Sequence, residues 1–296
     1  ECGCQRHAKL PKGMSFSSLT PISDILHAIE TSYGGSSCSA EATFRGPSQY
    51  VVSLSVFGIF PNEYYSGIQH IVEQVATLYP GWVMRLYHDL DIHDEHQQAW
   101  LCQLTCMNSH IDLCNIRNIT GLGDISSSHG QVWRMAVIGD PLVKHYIIRD
   151  SDSPILQREV DAVQQWLDSG KCFHIMHDHP NHRAVMLAGM WGGCTWWQPQ
   201  HISRTMMLQL INSTRDIKED QPSLQKYIWP IAQHSLVHHD AYRCERHPEA
   251  IPFPSQRVNG TYVGMRMYRR RYCDSRLRRP CPTACRPPDH QDWETC

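Results

Sequence analysis

The stretch from Tyr50 to Tyr87 restricts the fold more than any other. Tyr50–Phe57 (YVVSLSVF) is an almost unbroken β-branched and aromatic run closed by Gly58, the pattern of a buried strand. Ile68, Ile71, Val72, Val75 and Tyr79 then recur at helical spacing until Pro80-Gly81 ends the run. Trp82–Tyr87 (WVMRLY) reads as a second strand that finishes at His88-Asp89. Strand, helix and strand within roughly forty residues form a βαβ unit, which requires a parallel sheet and so an α/β fold.

The alternation continues downstream. His96–Leu104 and Gly130–Val137 read as helices, and Cys114–Arg117 as a short strand. Val143–Ile148 (VKHYII) is a strand that delivers Arg149-Asp150-Ser151-Asp152 at its carboxyl end. Ser153 as N-cap and Pro154 at the first helical position predict a helix from there to Leu167, stopped by Gly170. Lys171–Met176 is another short strand. Beyond about residue 190 the order is less regular, with helices expected over Met206–Asn212 and Leu224–Ile231. Residues 1–48 read as an irregular segment with one helix around Ile22–Glu30, and residues 266–296 as a basic, Cys- and Pro-bearing wrap.

Thirteen cysteines are scattered from Cys2 to Cys296, and none has the repeated spacing of a zinc ribbon. They read as a disulfide framework made in an oxidising compartment, with one thiol left over or paired between chains. Sequons at Asn118, Asn212 and Asn259 agree with a secreted or luminal setting. No apolar run reaches the ~20 residues of a membrane span. The chain begins with Glu1, which reads as a mature or trimmed luminal fragment, so a membrane enters only through an N-terminal anchor absent here. A net charge of −2 supplies no field that would gather nucleic acid.

Five groups carry chemistry on their residue types. Asp150 and Asp152 lie two residues apart where a strand ends, which is where open α/β sheets bind ligands. Paired carboxylates there suit Mn²⁺ or Mg²⁺ shared with a diphosphate, or else they cap the next helix. His174, His177, Asp178, His179 and His182 form a dense cluster, close to the HxHxDH pattern of zinc hydrolases but with the first two histidines three apart. Gly189-Met-Trp191-Gly192-Gly193-Cys194 offers an aromatic face for a sugar, or a core tryptophan beside a glycine turn. His238-His239-Asp240 could complete a metal shell from a distant part of the chain. The arginines from Arg266 to Arg279 either grip phosphate or a glycan or form a solvated face.

Taken as a linked set, these blocks resemble a group of glycosyltransferase-like proteins. The set comprises Val52–Asp89, Arg149-Asp150-Ser151-Asp152-Ser153, Arg158-Glu159, Asp178-His179-Pro180, Gly189-Met190-Trp191-Gly192, His239-Asp240 and Pro252-Phe253-Pro254. The resemblance covers roughly residues 50–265 and departs at His177, where the group has Arg. It implies the GT-A fold, a Rossmann-like, mostly parallel sheet flanked by helices, with a catalytic domain over residues 49–265. It further implies a metal-dependent glycosyltransferase of the Golgi or ER lumen, or secreted. Such an enzyme moves a sugar from a nucleotide sugar, UDP-sugar favoured, to a glycan or glycoprotein acceptor.

By the same resemblance Asp152 ligates Mn²⁺ or Mg²⁺, Asp150 contacts metal or ribose beside Arg149, and His239 is a third ligand. Ser55, Phe57 and Gly58 line the nucleotide pocket, while Trp191 and Gly192 face sugar or acceptor. Asp178 is the carboxylate beside the reacting carbon, a general base in an inverting reaction or a charge stabiliser in a retaining one. The alternatives are a zinc hydrolase built on the His174–His182 cluster and a non-catalytic secreted carbohydrate-binding protein.

Overall fold

The computed structural model describes residues 2, 4, 17, 20–213, 220–267, 275–278 and 280–296. Seven strands form one sheet: β1 (Gln49–Val56), β2 (Val83–His88), β3 (Ile111–Asn115), β4 (Val143–Arg149), β5 (Phe173–His177), β6 (Met190–Cys194) and β7 (Leu236–Asp240). Their order is β3-β2-β1-β4-β6-β5-β7, and only β6 runs against its neighbours. The mostly parallel α/β sheet expected of this chain is therefore present. Because β2 lies on one side of β1 and β4 on the other, the strand order reverses between β1 and β4.

Nine helices among the described residues connect and cover the sheet: α1 (Ile22–Tyr33), α2 (Ala40–Phe44), α3 (Glu63–Leu78), α4 (Glu95–Met107), α5 (Gly130–Trp133), α6 (Gln157–Asp168), α7 (Gln200–Ser213), α8 (Asp220–Tyr227) and α9 (Trp229–Ala232). Period-two alternation sorts the residues of β1 between faces. Val52, Leu54 and Val56 join the buried stripe of α3 (Ile68, Ile71, Val72 and Val75) and Trp166 of α6 in one core. Val51 belongs to a second core on the other face, with Trp133, Val137, Met207 and Leu210. On that face Ser53 donates to the Arg134 carbonyl (2.8 Å), anchoring the 3₁₀ turn Arg134–Gly139 that follows α5 over β1.

Two strands escape the sequence pattern. In β6, glycine replaces β-formers because the strand lies close against β4: a Cβ on Gly192 would meet the Tyr146 carbonyl at 2.7 Å, and one on Gly193 the Tyr146 hydroxyl at 2.4 Å. β7 is Leu-Val-His-His-Asp, a polar string that is buried by histidine contacts on both faces. The start of α6 also differs. Its N-cap is Leu156, and Ser153 caps nothing. The carbonyls of Ser153 and Pro154 instead accept from Arg149 Nη2 at 3.1 and 3.0 Å, and the helix begins only at Gln157.

Six disulfides place twelve of the thirteen cysteines, and Cys273 lies outside the described residues. Cys2–Cys102 and Cys4–Cys106 fasten the N-terminal segment to α4, and Cys38–Cys114 fastens it to β3. Cys172–Cys194 staples the start of β5 to the end of β6, while Cys244–Cys285 and Cys281–Cys296 hold the C-terminal tail. Such a set belongs to an oxidising, non-cytoplasmic compartment. Asn118, Asn212 and Asn259 are all exposed. Among the described residues no helix is long and apolar enough to cross a membrane. Arg269–Arg271 and Arg279 of the basic stretch lie outside the described residues.

Candidate active-site cleft

A cleft of about 710 Å³ opens where the strand order reverses. That volume is in the usual range for ligand sites, and the position is where open α/β sheets place them. One wall is the end of β1, Ser55 to Phe57, and another is the turn after β4, Asp150 to Asp152. His129, Gln131 and Arg134 enter from α5 and the turn after it, Asp220 and Gln221 from α8, and Gly264 and Arg266 from the C-terminal segment. The stretch from Leu187 to Met190, together with His182, completes the lining.

The acidic turn is held from three directions. Arg134 Nη1 donates to Asp150 Oδ1 and to the Arg149 carbonyl, both at 2.6 Å. Asp150 keeps 46% of its side-chain surface open, whereas Arg134 is buried at 5%. Arg149 turns away from the cleft to the buried Glu159 carboxylate, and through Ser153 and Pro154 it shapes the loop that follows. Arg266 Nε lies 3.3 Å from Asp152 Oδ2, and the Met267 N–H donates to the Asp152 carbonyl at 2.8 Å. Gly189 is required beneath Asp150, since a Cβ there would sit 2.3 Å from the carboxyl carbon.

The two carboxyls are driven in opposite directions. Burial pushes Asp150 up, but Arg134, with help from Arg149 and Arg266, outweighs it and holds the group below the usual carboxylate range. Asp152 is raised by burial and by the neighbouring Asp150 charge, which the largely exposed Arg266 only partly offsets. Asp220 is likewise raised, first by burial and then by Asp150, against the pull of Arg134. Burial lowers His182 to about 3, so its ring is neutral. Its Nδ1 accepts from the Asp178 N–H at 3.1 Å, which leaves the proton on Nε2.

The donor set fits a hard divalent cation. Asp150 and Asp152 offer carboxylate oxygen, and the raised Asp152 carboxyl is a group whose charged form an added cation would stabilise. Among the described residues no triplet of His, Cys, Asp or Glu that includes either aspartate converges on one point. Mg²⁺ and Mn²⁺ sites that share their ion with a phosphate substrate commonly use only one or two carboxylates.

Of the residues singled out from sequence, Ser55, Phe57, Asp150 and Asp152 line the cleft; Gly58, Arg149, Asp178, Trp191, Gly192 and His239 do not. Gly58 sits in the turn beyond β1 with φ +92°. Asp178 is fully buried, paired to Arg158 (3.0 Å) and Arg257 (2.6 Å), and accepts from the Val263 N–H at 2.9 Å. Every lobe of that carboxylate is engaged, which removes it as a base. Trp191 is buried edge-on against Tyr146 and presents no face to a sugar. Gly192 is inside the sheet. His239 bonds His174 and Gln165, both at 2.8 Å, under Phe253. The histidines of the 174–182 cluster part company: His174 goes to His239 and His177 to His238, while His179 and His182 pack together against Tyr262 with His182 reaching the cleft. They do not assemble the metal centre of a hydrolase.

Arg134 and Asp220 join this site without a signal in the sequence, and Gly189, singled out there with a sugar-facing motif, serves instead as the space beneath Asp150. Arg134 belonged to a predicted helix without a mark of its own, and Asp220 follows a polar stretch that carries no periodicity.

No family description matches the sequence, and no curated protein matches it. Among solved structures it is similar to a glycosyltransferase involved in glycosylation of the major capsid of PBCV-1, with 16% identity over 68% of this chain and 88% of that one and a TM-score of 0.36. It is also similar to a putative nucleotide-diphospho-sugar transferase from Desulfovibrio desulfuricans G20 (14% identity, 64% and 79% covered, TM-score 0.39) and to S. aureus TarS 1-349 (9%, 60% and 55%, 0.38).

Proposed function

We propose that this chain is a glycosyltransferase whose nucleotide-sugar donor binds in the β1–β4 cleft through a divalent cation on Asp150 and Asp152. One observation supports this most strongly: two carboxylates face a nucleotide-sized cleft at the point where the strand order reverses. In this reading Ser55 to Phe57 wall the nucleoside. Arg266 and the Nε2–H of His182 face the phosphates or the sugar.

Mn²⁺ or Mg²⁺, when bound, neutralises charge on the departing nucleoside diphosphate. The anomeric C–O bond to phosphate breaks as the acceptor hydroxyl oxygen bonds to that carbon. The acceptor's proton needs a base, and with Asp178 locked away Asp220 is, among the described residues, the carboxylate left in the cleft beside the two metal-facing aspartates. Its raised pKa suits a proton carrier. The acceptor class is a glycan or glycoprotein, and a UDP-sugar is the favoured donor. The disulfides and exposed sequons support a Golgi, ER-luminal or secreted setting.

The test is a thermal-shift screen of nucleoside diphosphates with and without Mn²⁺, on the wild type and Asp152→Ala. We expect one base plus metal to raise the melting temperature of the wild type alone. An unchanged shift in the variant, or glycan binding with no nucleotide response, refutes the reading and favours a carbohydrate-binding protein.

A further inference from the structure

A second cluster of ligating groups lies away from the cleft, at the carboxyl ends of β5 and β7. Parity along these strands divides the histidines. His239 and His174 point to one face of the sheet, where they bond each other. His238 and Asp240 point to the opposite face, beside His177, which is the register partner of Asp240. We propose that the chain binds a zinc ion there, through His177 Nδ1, His238 Nε2 and Asp240 Oδ2, as a buried structural site separate from the donor cleft.

All three side chains are buried, at 4%, 4% and 1% exposure, and their ligand atoms lie within 4.8 Å of one another. His177 Nδ1 and His238 Nε2 are 2.8 Å apart, and Asp240 Oδ2 is 3.6 Å from His238 Nε2. Tetrahedral donors at the usual zinc distances are separated by roughly 3.3 Å, which these spacings bracket. The ring tautomers leave these three groups in conflict. His177 Nε2 faces the Ala184 carbonyl at 2.8 Å, and a carbonyl only accepts, so Nε2 carries hydrogen and a neutral ring turns a bare Nδ1 lone pair to the cluster. If His238 answers with an Nε2–H, its Nδ1 is left bare toward the Glu249 carboxylate, 3.7 Å away. Neither His238 Nδ1 nor Asp240 Oδ2 has a hydrogen-bond partner, in a position where such vacancies are costly.

A cation takes up the two lone pairs and the carboxylate oxygen that face one another here. His238 moves its proton to Nδ1, facing Glu249, and gives its Nε2 lone pair to the metal. His177 already donates its other N–H to a carbonyl. His177 then shows the arrangement common to zinc-bound histidines, its non-ligating nitrogen tied to a carbonyl, and the exposed Glu249 side chain has to close from 3.7 Å to do the same for His238. The remaining Asp240 oxygen accepts from the Tyr242 and Arg243 N–H groups at 2.7 and 2.8 Å, so Oδ2 is fixed toward the ion. Two imidazoles and a carboxylate are a borderline set that selects zinc over Mg²⁺ or Mn²⁺. The ion would clamp β7 to the root of the 178–184 loop, which carries His182 into the cleft.

The experiment uses the whole disulfide-bonded chain, incubated with Zn²⁺, dialysed against a weak chelator and measured for bound metal by mass spectrometry. About one zinc per chain is expected, with a lower melting temperature after strong chelation. Asp240→Asn should lose the metal. Glu249→Gln should retain the fold and bind zinc about 10- to 100-fold more weakly. His247→Ala should keep it, since His247 belongs only to a more exposed group with His238 and Glu249. Wild-type protein without zinc and unmoved by chelator overturns the site, as does retention by a folded Asp240→Asn or loss in His247→Ala. If Asp240→Asn fails to fold, the wild-type and Glu249→Gln measurements still decide. Asp152→Ala should leave zinc content unchanged, so failure of the donor site and failure of this one are separable.

Discussion

Gly189→Ala perturbs the donor site without removing any functional group. The added methyl would stand 2.3 Å from Asp150 Cγ and Oδ2 and 2.5 Å from Oδ1, where ordinary carbon contacts need about 3.5 Å. Gly189 has no positive φ, so the backbone accepts alanine and the carboxylate must give way by roughly 1 Å. Asp150 has a short side chain with Oδ1 fixed by Arg134 at 2.6 Å, so that displacement breaks the pair. Asp150 is half open to solvent, so the stability loss should be about 1 kcal/mol, below the range for buried hydrogen bonds to charged groups. The effect on turnover should be larger, on the order of 10²-fold, because a shift of that size at a positioning group disrupts alignment. The assay is Mn²⁺-dependent donor hydrolysis alongside urea unfolding, in a cycle with Asp150→Ala. Once Asp150 is alanine, Gly189→Ala should cost nothing further at the site. Full activity in Gly189→Ala, or an equal loss with and without Asp150, would falsify the placement of that carboxylate at the donor.

Asp178→Asn removes one partner of a fully buried triad and should cost about 3–5 kcal/mol in urea unfolding, because Arg158 and Arg257 are left uncompensated; a stability change near zero would contradict the structural role assigned to it. Asp220→Asn should lower turnover with little change in Mn²⁺-dependent nucleotide binding, and a loss of binding with turnover per bound donor intact would reverse that assignment. Cation affinity should rise with pH. Asp152 must be deprotonated to bind, and its carboxyl is raised above the ordinary 3.8, so affinity falls away at a higher pH than for a free carboxylate. Asp150→Asn removes the like charge and should move that fall to lower pH, visible in Mn²⁺ titrations across the acid range; a shift to higher pH would be the wrong sign. For folding the signs are opposite at the two groups: Asp150 is depressed and contributes stability that is lost as pH falls through its folded value, whereas raised Asp152 contributes stability at low pH that is lost as pH rises through its own.

The sheet was legible because most of its strands are apolar or flanked by helices of clear period. β1 and β4 carry that signal, and so the end of β4 could be located with its two aspartates. β6 and β7 were not legible, because what makes them strands is contact rather than propensity: glycines that let β6 lie against Tyr146, and histidines of β7 bonded to β5 and α6. The same distinction explains which site residues were misassigned. Asp178 and His239 have the residue types of an active site and lie at or near strand ends, yet each is saturated by partners brought from far along the chain, Arg257 in one case and His174 in the other. A residue type specifies what a group can do, but the partner specifies whether any capacity is left. Asp178 has none remaining, whereas among the described residues Asp152 has only a largely exposed arginine against a raised carboxyl. Chemistry in this fold should therefore be sought at the charged groups whose pairing is incomplete, and those lie in the β1–β4 cleft and between His177, His238 and Asp240.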